Sequence, residues 1–285
     1  MDSLSVIEKA KQIKEKGFPS KLYKYRYFDE NDFWKDWVKG EVYLGCPSSF
    51  NDPFDCSFSC DSMMIRDHFI RESLLDYVKN RLSPNQAEIA LIETSDDPVQ
   101  AFRSVIDQHG CHLRNEIDQY LSFDRFLNVL QDNILVACFS AVNDSILMWS
   151  HYASQHNGFC IEYDFANDDL FKKMTYPVIY SDLKVTYQPQ YKKSEKNWAA
   201  SAALSKSVCW AYEREWRFIN ADPNKSKQPN RFYLEVPSCV RAIYVGARVT
   251  ENNMKTMCDL ASSLSLPVYR MKMDNASFRL YPIKA

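Results

Sequence analysis

The segment YEREWRFIN, residues 212–220, alternates in the manner of a β-strand. Its alternation predicts a β-strand with one charged face, made of Glu213, Glu215 and Arg217. The opposite face is largely apolar, with Tyr212, Trp216 and Phe218, and Arg214 is its exception. Two carboxylates beside a guanidinium are typical either of a solvated sheet edge or of a site in which the arginine sets the ionisation of the acids.

Further strand patterns lie on both sides of this segment. They cover residues 21–28 (KLYKYRYF), 41–47, 134–140, 159–165, 231–236, 242–249, 267–273 and 278–283. Helical spacing or capping signals predict helices at residues 3–17, 29–40, 145–156, 194–210 and 251–264. The fold class expected is α+β, with a mixed or antiparallel β core.

One long stretch differs from its surroundings. From residue 63 to 132 the apolar residues recur with helical periodicity, whereas the neighbouring segments alternate with period 2. Polar breaks occur at residues 83–84 and 95–98. The chain is therefore predicted to consist of an N-terminal helix (1–20), a core made of residues 21–62 and 133–285, and a helical insertion at 63–132.

Composition excludes several classes of protein. The chain has 285 residues, a net charge of −2, nine cysteines and only six glycines. The glycine-rich phosphate loops are absent, no CxxC pair or HExxH motif is present, and no apolar run is long enough to span a bilayer. We expect a soluble, cytoplasmic protein with reduced cysteines, no metal and no membrane partner.

Candidate site residues fall in four separate segments. The first strand carries Tyr25 and Arg26, and the turn FNDPFD carries Asn51 and Asp52. The helix MWSHY carries Trp149, His151 and Tyr152, and the late strand carries Glu213, Glu215 and Arg217. Each segment also has an ordinary interpretation as an exposed strand, an Asx turn or a core helix. The functional hypothesis is that all four meet around one cleft.

The motifs LYKYRYF, FNDPFDC, ACFS, ILMWSHYA, HNGFCIEYD and YEREWR, taken in this order, resemble a widespread bacterial family classed as a domain of unknown function. They extend from about residue 22 to 248, and none lies in the stretch 63–132. Members of this family often occur in phage-defence neighbourhoods. The resemblance therefore implies a toxin or a phage-defence effector.

A second resemblance is to ADP-ribosyltransferases of the Arg-Ser-Glu type. Tyr25-Arg26 matches the aromatic-Arg of their first strand and Glu213-Arg214-Glu215 matches their late acidic motif, whereas the central Ser-Thr-Ser motif is missing. The resemblance implies an ADP-ribosyltransferase-like core that uses NAD as its substrate. Glu215 would hold the ribose, Glu213 would act on the acceptor, Arg26 would bind the phosphates, and Trp149 or Tyr152 would enclose the nicotinamide.

Two other functions remain open at this stage. Asp52, Asp55 and Glu162 could bind a divalent cation in a metal-dependent nuclease. The aromatic cleft could instead recognise a nucleotide without turnover, as a sensor module. The acceptor, a protein or a nucleic acid, and any antitoxin partner are not defined by the sequence.

Overall fold

The computed structural model describes residues 3–59, 62–109, 134–186, 195–220 and 232–285. The fold is α+β, as predicted. Helices cover α1 (Ser3–Lys16), α2 (Phe33–Lys39), α3 (Ser62–Arg81), α4 (Gln86–Thr94), α5 (Pro98–Gln108), α6 (Ile146–Tyr152), α7 (Asp169–Met174), α8 (Glu195–Ala203) and α9 (Glu251–Ser263). Short 3-10 helices cover Pro47–Ser49, Val208–Glu213 and Pro237–Cys239.

The strands belong to one large mixed sheet and to three small pairs. They are β1 (Leu22–Arg26), β2 (Glu41–Leu44), β3 (Phe58–Ser59), β4 (Leu135–Ser140), β5 (Phe159–Tyr163), β6 (Thr175–Pro177), β7 (Ile179–Tyr180), β8 (Val185–Thr186), β9 (Ser205–Lys206), β10 (Glu215–Asn220), β11 (Phe232–Glu235), β12 (Val240–Val245), β13 (Val268–Met273) and β14 (Leu280–Lys284). The large sheet has the order β14-β13-β12-β5-β1-β4-β10-β6, and the pairs are β11-β2, β3-β8 and β7-β9. In the large sheet β12 and β13 run parallel, and the other neighbours are antiparallel.

The large sheet is divided between β1 and β4. β1 pairs with β5 along its whole length, and β4 does the same with β10. Between β1 and β4, however, the register contains a single pair, Tyr23 with Ser140. Further along β4, Val136 pairs with Gly45 instead, with N–O distances of 2.9 Å in both directions. We call the Tyr23–Ser140 contact the seam and the gap beyond it the cleft.

Both faces of the central strands of the sheet are buried, whereas β14 at its edge is largely exposed. On one face Phe139 packs against Tyr163, Phe165 and Phe171, with ring centroids between 5.3 and 5.6 Å apart. On the other face Tyr25, Trp149, Cys160, Tyr244 and Met271 share a second apolar cluster. Because β10 lies between β4 and β6, its charged residues are enclosed, and they do not form a solvated edge.

Two predicted elements are corrected by the structure. The strand expected at 212–220 begins only at Glu215, because Arg214 adopts a left-handed conformation (φ 45°) that ends the preceding 3-10 helix. The helix expected at 194–210 ends at Ala203, and the chain then pairs with β7 through the carbonyls of Leu204 and Lys206. Glu213 therefore lies on a 3-10 turn and not on the strand.

The described part of the predicted insertion consists of helices α3, α4 and α5. The predicted breaks at 83–84 and 95–98 separate them, and Asn85 and Glu88 form a capping box at the start of α4. These helices share a core of their own, which includes Leu74, Val78, Ile92, Phe102, Val105 and Ile106. Residues 110–132 of the predicted insertion lie outside the described residues, so the proposed division into domains stays a prediction.

None of the helices in the described part of the chain is both long enough and apolar enough to cross a bilayer.

Candidate active site

The cleft is a cavity of about 630 Å³ that opens where β1 and β4 diverge. One wall is β1, and the other consists of β4 and the first residues of β10. The loop after β2 and the end of α6 close the two ends, through Ser49–Asn51 and through Met148, His151 and Tyr152. All four segments singled out from the sequence thus contribute side chains to one cavity.

Five buried charged residues form what we call the ion-pair network: Asp55, Lys206, Glu213, Glu215 and Arg217. Arg217, with no exposed surface, donates two hydrogen bonds to Asp55 at 2.7 and 2.8 Å and two to Glu215 at 2.8 and 3.0 Å. The Lys206 Nζ lies 2.6 Å from Glu213 and 3.3 Å from both Glu215 and Asp55. With every group ionised, three carboxylates face two cations, and the network carries one net negative charge.

The network separates the ionisation of its two glutamates. Burial raises the pKa of Glu215, but the charges of Arg217 and Lys206 outweigh it and bring that pKa down to about 2. Burial also raises the pKa of Glu213, and repulsion by Glu215 adds to it, so this pKa lies above its usual range. Two neighbouring acids with pKa values moved in opposite directions are suited to different roles in one reaction.

Local structure fixes the position of Glu213. The Tyr152 hydroxyl donates a 2.6 Å hydrogen bond to the Glu213 carboxylate, and the Ser140 hydroxyl donates one of 2.6 Å to its backbone carbonyl. Tyr152 is presented by α6, whose N-cap Ser145 accepts a hydrogen bond from the Met148 amide. The carboxylate therefore reaches the network although the strand starts two residues later.

The β1 wall of the cleft carries Lys24 and Arg26. Lys24 is 8% exposed, and its Nζ donates a 2.7 Å hydrogen bond to the Cys138 carbonyl. The Arg26 guanidinium lies 4.8 Å from the Trp37 ring centroid, and its buried Nε has no hydrogen-bond partner. Burial, and next the charge of Arg26, lower the pKa of Lys24 to about 7. Burial also lowers the pKa of Arg26.

Most of the residues predicted from the sequence line the cleft: Tyr25, Arg26, Asn51, His151, Tyr152, Glu213, Glu215 and Arg217. Two lie outside its lining. Asp52 closes an Asx turn by accepting a 2.8 Å hydrogen bond from the Phe54 amide. Trp149 is fully buried, donates from its Nε1 to the Asn143 carbonyl and contacts Tyr25 edge-on, so it supports the wall from behind.

The residues considered for a nuclease are not assembled. Asp55 is bound to Arg217, whereas Glu162 lies on β5 and pairs with Lys21 at 2.9 Å and with the Tyr244 hydroxyl at 2.7 Å. Glu162 is not part of the cleft lining. Within the described ranges, no cluster of three or more His, Cys, Asp or Glu residues is arranged to hold a metal ion.

Sequence reasoning missed two residues of the cleft, Lys24 and Lys206. Lys24 alternates with tyrosines in KLYKYRYF, and its spacing of two from Arg26 placed both on one strand face, which was the available signal. Lys206 fell inside a predicted helix, and nothing local indicated that it would end in a two-residue strand beside Glu213.

Comparison with known protein families places part of the chain. Residues 148–218 match the model of a family described as "Protein of unknown function (DUF2971)". This segment contains Tyr152, Lys206 and the acids Glu213 and Glu215, whereas Arg26 and Asp55 lie outside it. No curated protein and no solved structure matches the chain.

Proposed function

We propose that the cleft binds NAD and cleaves its nicotinamide–ribose bond, in the manner of an ADP-ribosyltransferase. One observation carries this proposal: a cationic wall with Arg26 and a buried network with net negative charge both line a single cleft. NAD has the complementary distribution, with a negative pyrophosphate and a positive nicotinamide at the bond that breaks.

The spacing of the two walls suits such a ligand. Glu215 lies opposite Ser140, and Ser140 lies opposite Tyr23, so two strand spacings of about 5 Å separate Glu215 from β1. Arg26 lies three residues beyond Tyr23, which adds about 10 Å along the strand. Because the strands diverge between them, the two Cα atoms are at least roughly 14 Å apart, which is the distance that a bound pyrophosphate and ribose would have to bridge.

The two glutamates fit the two steps of the reaction. As the C–N bond breaks, its electron pair leaves with nicotinamide and the ribose gains positive charge, which an ionised Glu215 stabilises. The acceptor nucleophile then attacks the ribose carbon and loses its proton. Glu213, with its raised pKa and its contact with Tyr152, is the group suited to take that proton.

Context favours an effector role. The resemblance to a family found near phage-defence genes supports a toxin or defence protein that acts in the cytoplasm on a protein or nucleic-acid acceptor. An antitoxin or other partner that restrains it belongs to the same proposal.

The test measures nicotinamide release from NAD that carries a label on its adenylate phosphate. Wild type is expected to release nicotinamide, and Glu215→Gln is expected to reduce the rate by about 10²–10³-fold, as when a group that stabilises transition-state charge is lost. Glu162→Gln is the matched control, because Glu162 is a buried acid outside the cleft. It should release nicotinamide at the wild-type rate.

Label retained on a macromolecule would identify transfer, and free ADP-ribose would identify hydrolysis. Tight NAD binding with no release in wild type would support the sensor alternative. Equal rates for wild type and Glu215→Gln would remove Glu215 from the role given to it.

A further inference from the structure

A buried lysine and a half-buried arginine lie side by side on β1, and neither has a counter-ion among the described residues. Lys24 and Arg26 are two residues apart and project to the same side of the strand, into the open part of the cleft. Neither forms an ion pair with any carboxylate in the described part of the chain. Buried charges are normally paired, so this arrangement is unfavourable until an anion occupies the cleft.

The position of Lys24 follows from the divided sheet. If the pairing of β1 and β4 continued past the seam, the Cys138 carbonyl would face Tyr25 and accept a backbone hydrogen bond. The strands diverge there, and the Lys24 Nζ supplies the missing donor. An ammonium group has three N–H donors. The other two, like the Arg26 Nε, have no hydrogen-bond acceptor among the described residues.

We infer that Lys24 is a specificity-determining residue that, together with Arg26, makes the cleft select ligands with two adjacent phosphate groups over those with one. This inference rests on the proposed function, because it names the part of the nucleotide that the β1 wall recognises. Arg26 offers a planar set of donors to one phosphate, and Lys24 offers a point charge to the next. A nucleoside monophosphate would leave one of the two cations unpaired.

The protonation of Lys24 should change when such a ligand binds. The groups that face it are Arg26 on its own strand, Cys138 on β4 and Glu215 on β10, and burial together with Arg26 holds its pKa near 7. At pH 8 most of the lysine is then neutral in the free protein. A bound diphosphate favours the ammonium, so binding at pH 8 should be accompanied by proton uptake.

Isothermal titration calorimetry of the full chain at pH 8, in two buffers of different ionisation enthalpy, measures affinity and proton uptake together. The probes are ADP-ribose, ADP, AMP and inorganic pyrophosphate. Wild type should bind ADP at least tenfold more tightly than AMP and take up protons with ADP. Lys24→Met should lose both the preference and the uptake. Lys24→Arg, which cannot titrate, should keep the preference without the uptake.

Lys272→Met provides the matched control, because Lys272 is an exposed strand lysine outside the cleft lining, and it should behave as wild type. Wild-type binding without proton uptake, or Lys24→Met with an unchanged preference, would overturn the inference. So would the absence of binding by every diphosphate probe. If ADP binds as described while NAD releases no nicotinamide, the inference stands and the proposed reaction fails. If Lys24→Met does not fold, the proton uptake of wild type and its absence in Lys24→Arg still test the inference.

Discussion

The central role of Arg217 can be tested by replacing it with methionine, which is uncharged and of similar length. Arg217 is the shared partner of Asp55 and Glu215, and it also donates to the Ala203 carbonyl at 2.8 Å. Its removal increases the net negative charge of the network from one to two, with Lys206 as the remaining cation. Three buried carboxylates then repel one another with little compensation.

The expected loss follows from the ionisation of Glu215. Its pKa of about 2, compared with an ordinary value of 4.5, corresponds to about 3 kcal/mol of stability at pH 7. Loss of one partner from a buried pair commonly costs about 3–5 kcal/mol, because the other charge is left uncompensated. We therefore expect Arg217→Met to lower the free energy of unfolding at pH 7 by about 3–5 kcal/mol.

The dependence on pH has a definite sign. In wild type the folded pKa of Glu215 lies below its unfolded value, so its contribution is complete above about pH 5 and is lost as the pH falls towards 2. In Arg217→Met the effect of burial on the carboxylates is no longer outweighed by the charge of Arg217. Protonation of these carboxylates at low pH therefore reduces the destabilisation of the variant. The difference between the two proteins should therefore shrink to about half or less at pH 3.

Equilibrium unfolding in urea, followed by tryptophan fluorescence at pH 7 and pH 3, measures both quantities. Arg241→Met is the control, because Arg241 is exposed and its 3.6 Å contact with Asp164 lies at the surface. That change should cost less than about 1 kcal/mol. A loss of this small size for Arg217→Met, or an equal loss at both pH values, would refute the account of the network.

Two further predictions concern the walls of the cleft. Tyr152→Phe removes the 2.6 Å hydrogen bond that lowers the pKa of Glu213. The acidic limb of the pH–rate profile for transfer should therefore move to higher pH, and an unmoved limb would exclude Glu213 as the base. Gly158→Ala places a Cβ 2.2 Å from the Arg26 carbonyl. Thermal unfolding should show a loss of about 1–3 kcal/mol, whereas Gly17→Ala, with nothing within 4 Å, should show little change, and equal effects would contradict the close approach.

Local patterns predicted the strands and helix ends whose signals lie within a few residues. The helix predicted at 29–40 starts at Phe33, and Asp29 caps it from outside by accepting hydrogen bonds from the Phe33 and Trp34 amides; Gly40 ends it in a left-handed conformation. The alternation in KLYKYRYF likewise predicted β1 and the face of the strand on which each of its side chains lies. The strand at 212–220 was extended too far, because alternation alone does not reveal that Arg214 turns the backbone.

The site was less predictable, because its partners are distant in sequence. Arg26, Glu213 and Glu215 were found from their residue types and spacing, and they do line one cleft. The pairing of Asp55 with Arg217 joins residues 162 positions apart, and no local pattern encodes it. The division between β1 and β4, which makes the cleft, is a property of strand pairing and not of either strand sequence.

The Lys24 side chain also connects the two halves of the divided sheet. Where backbone pairing stops, this amine holds β1 to the Cys138 carbonyl of β4. If an anion binds the remaining N–H groups of this amine, as inferred above, one side chain contacts both the ligand and β4. Replacing Lys24 should therefore affect both anion binding and the contact between β1 and β4 beyond the Tyr23–Ser140 pair.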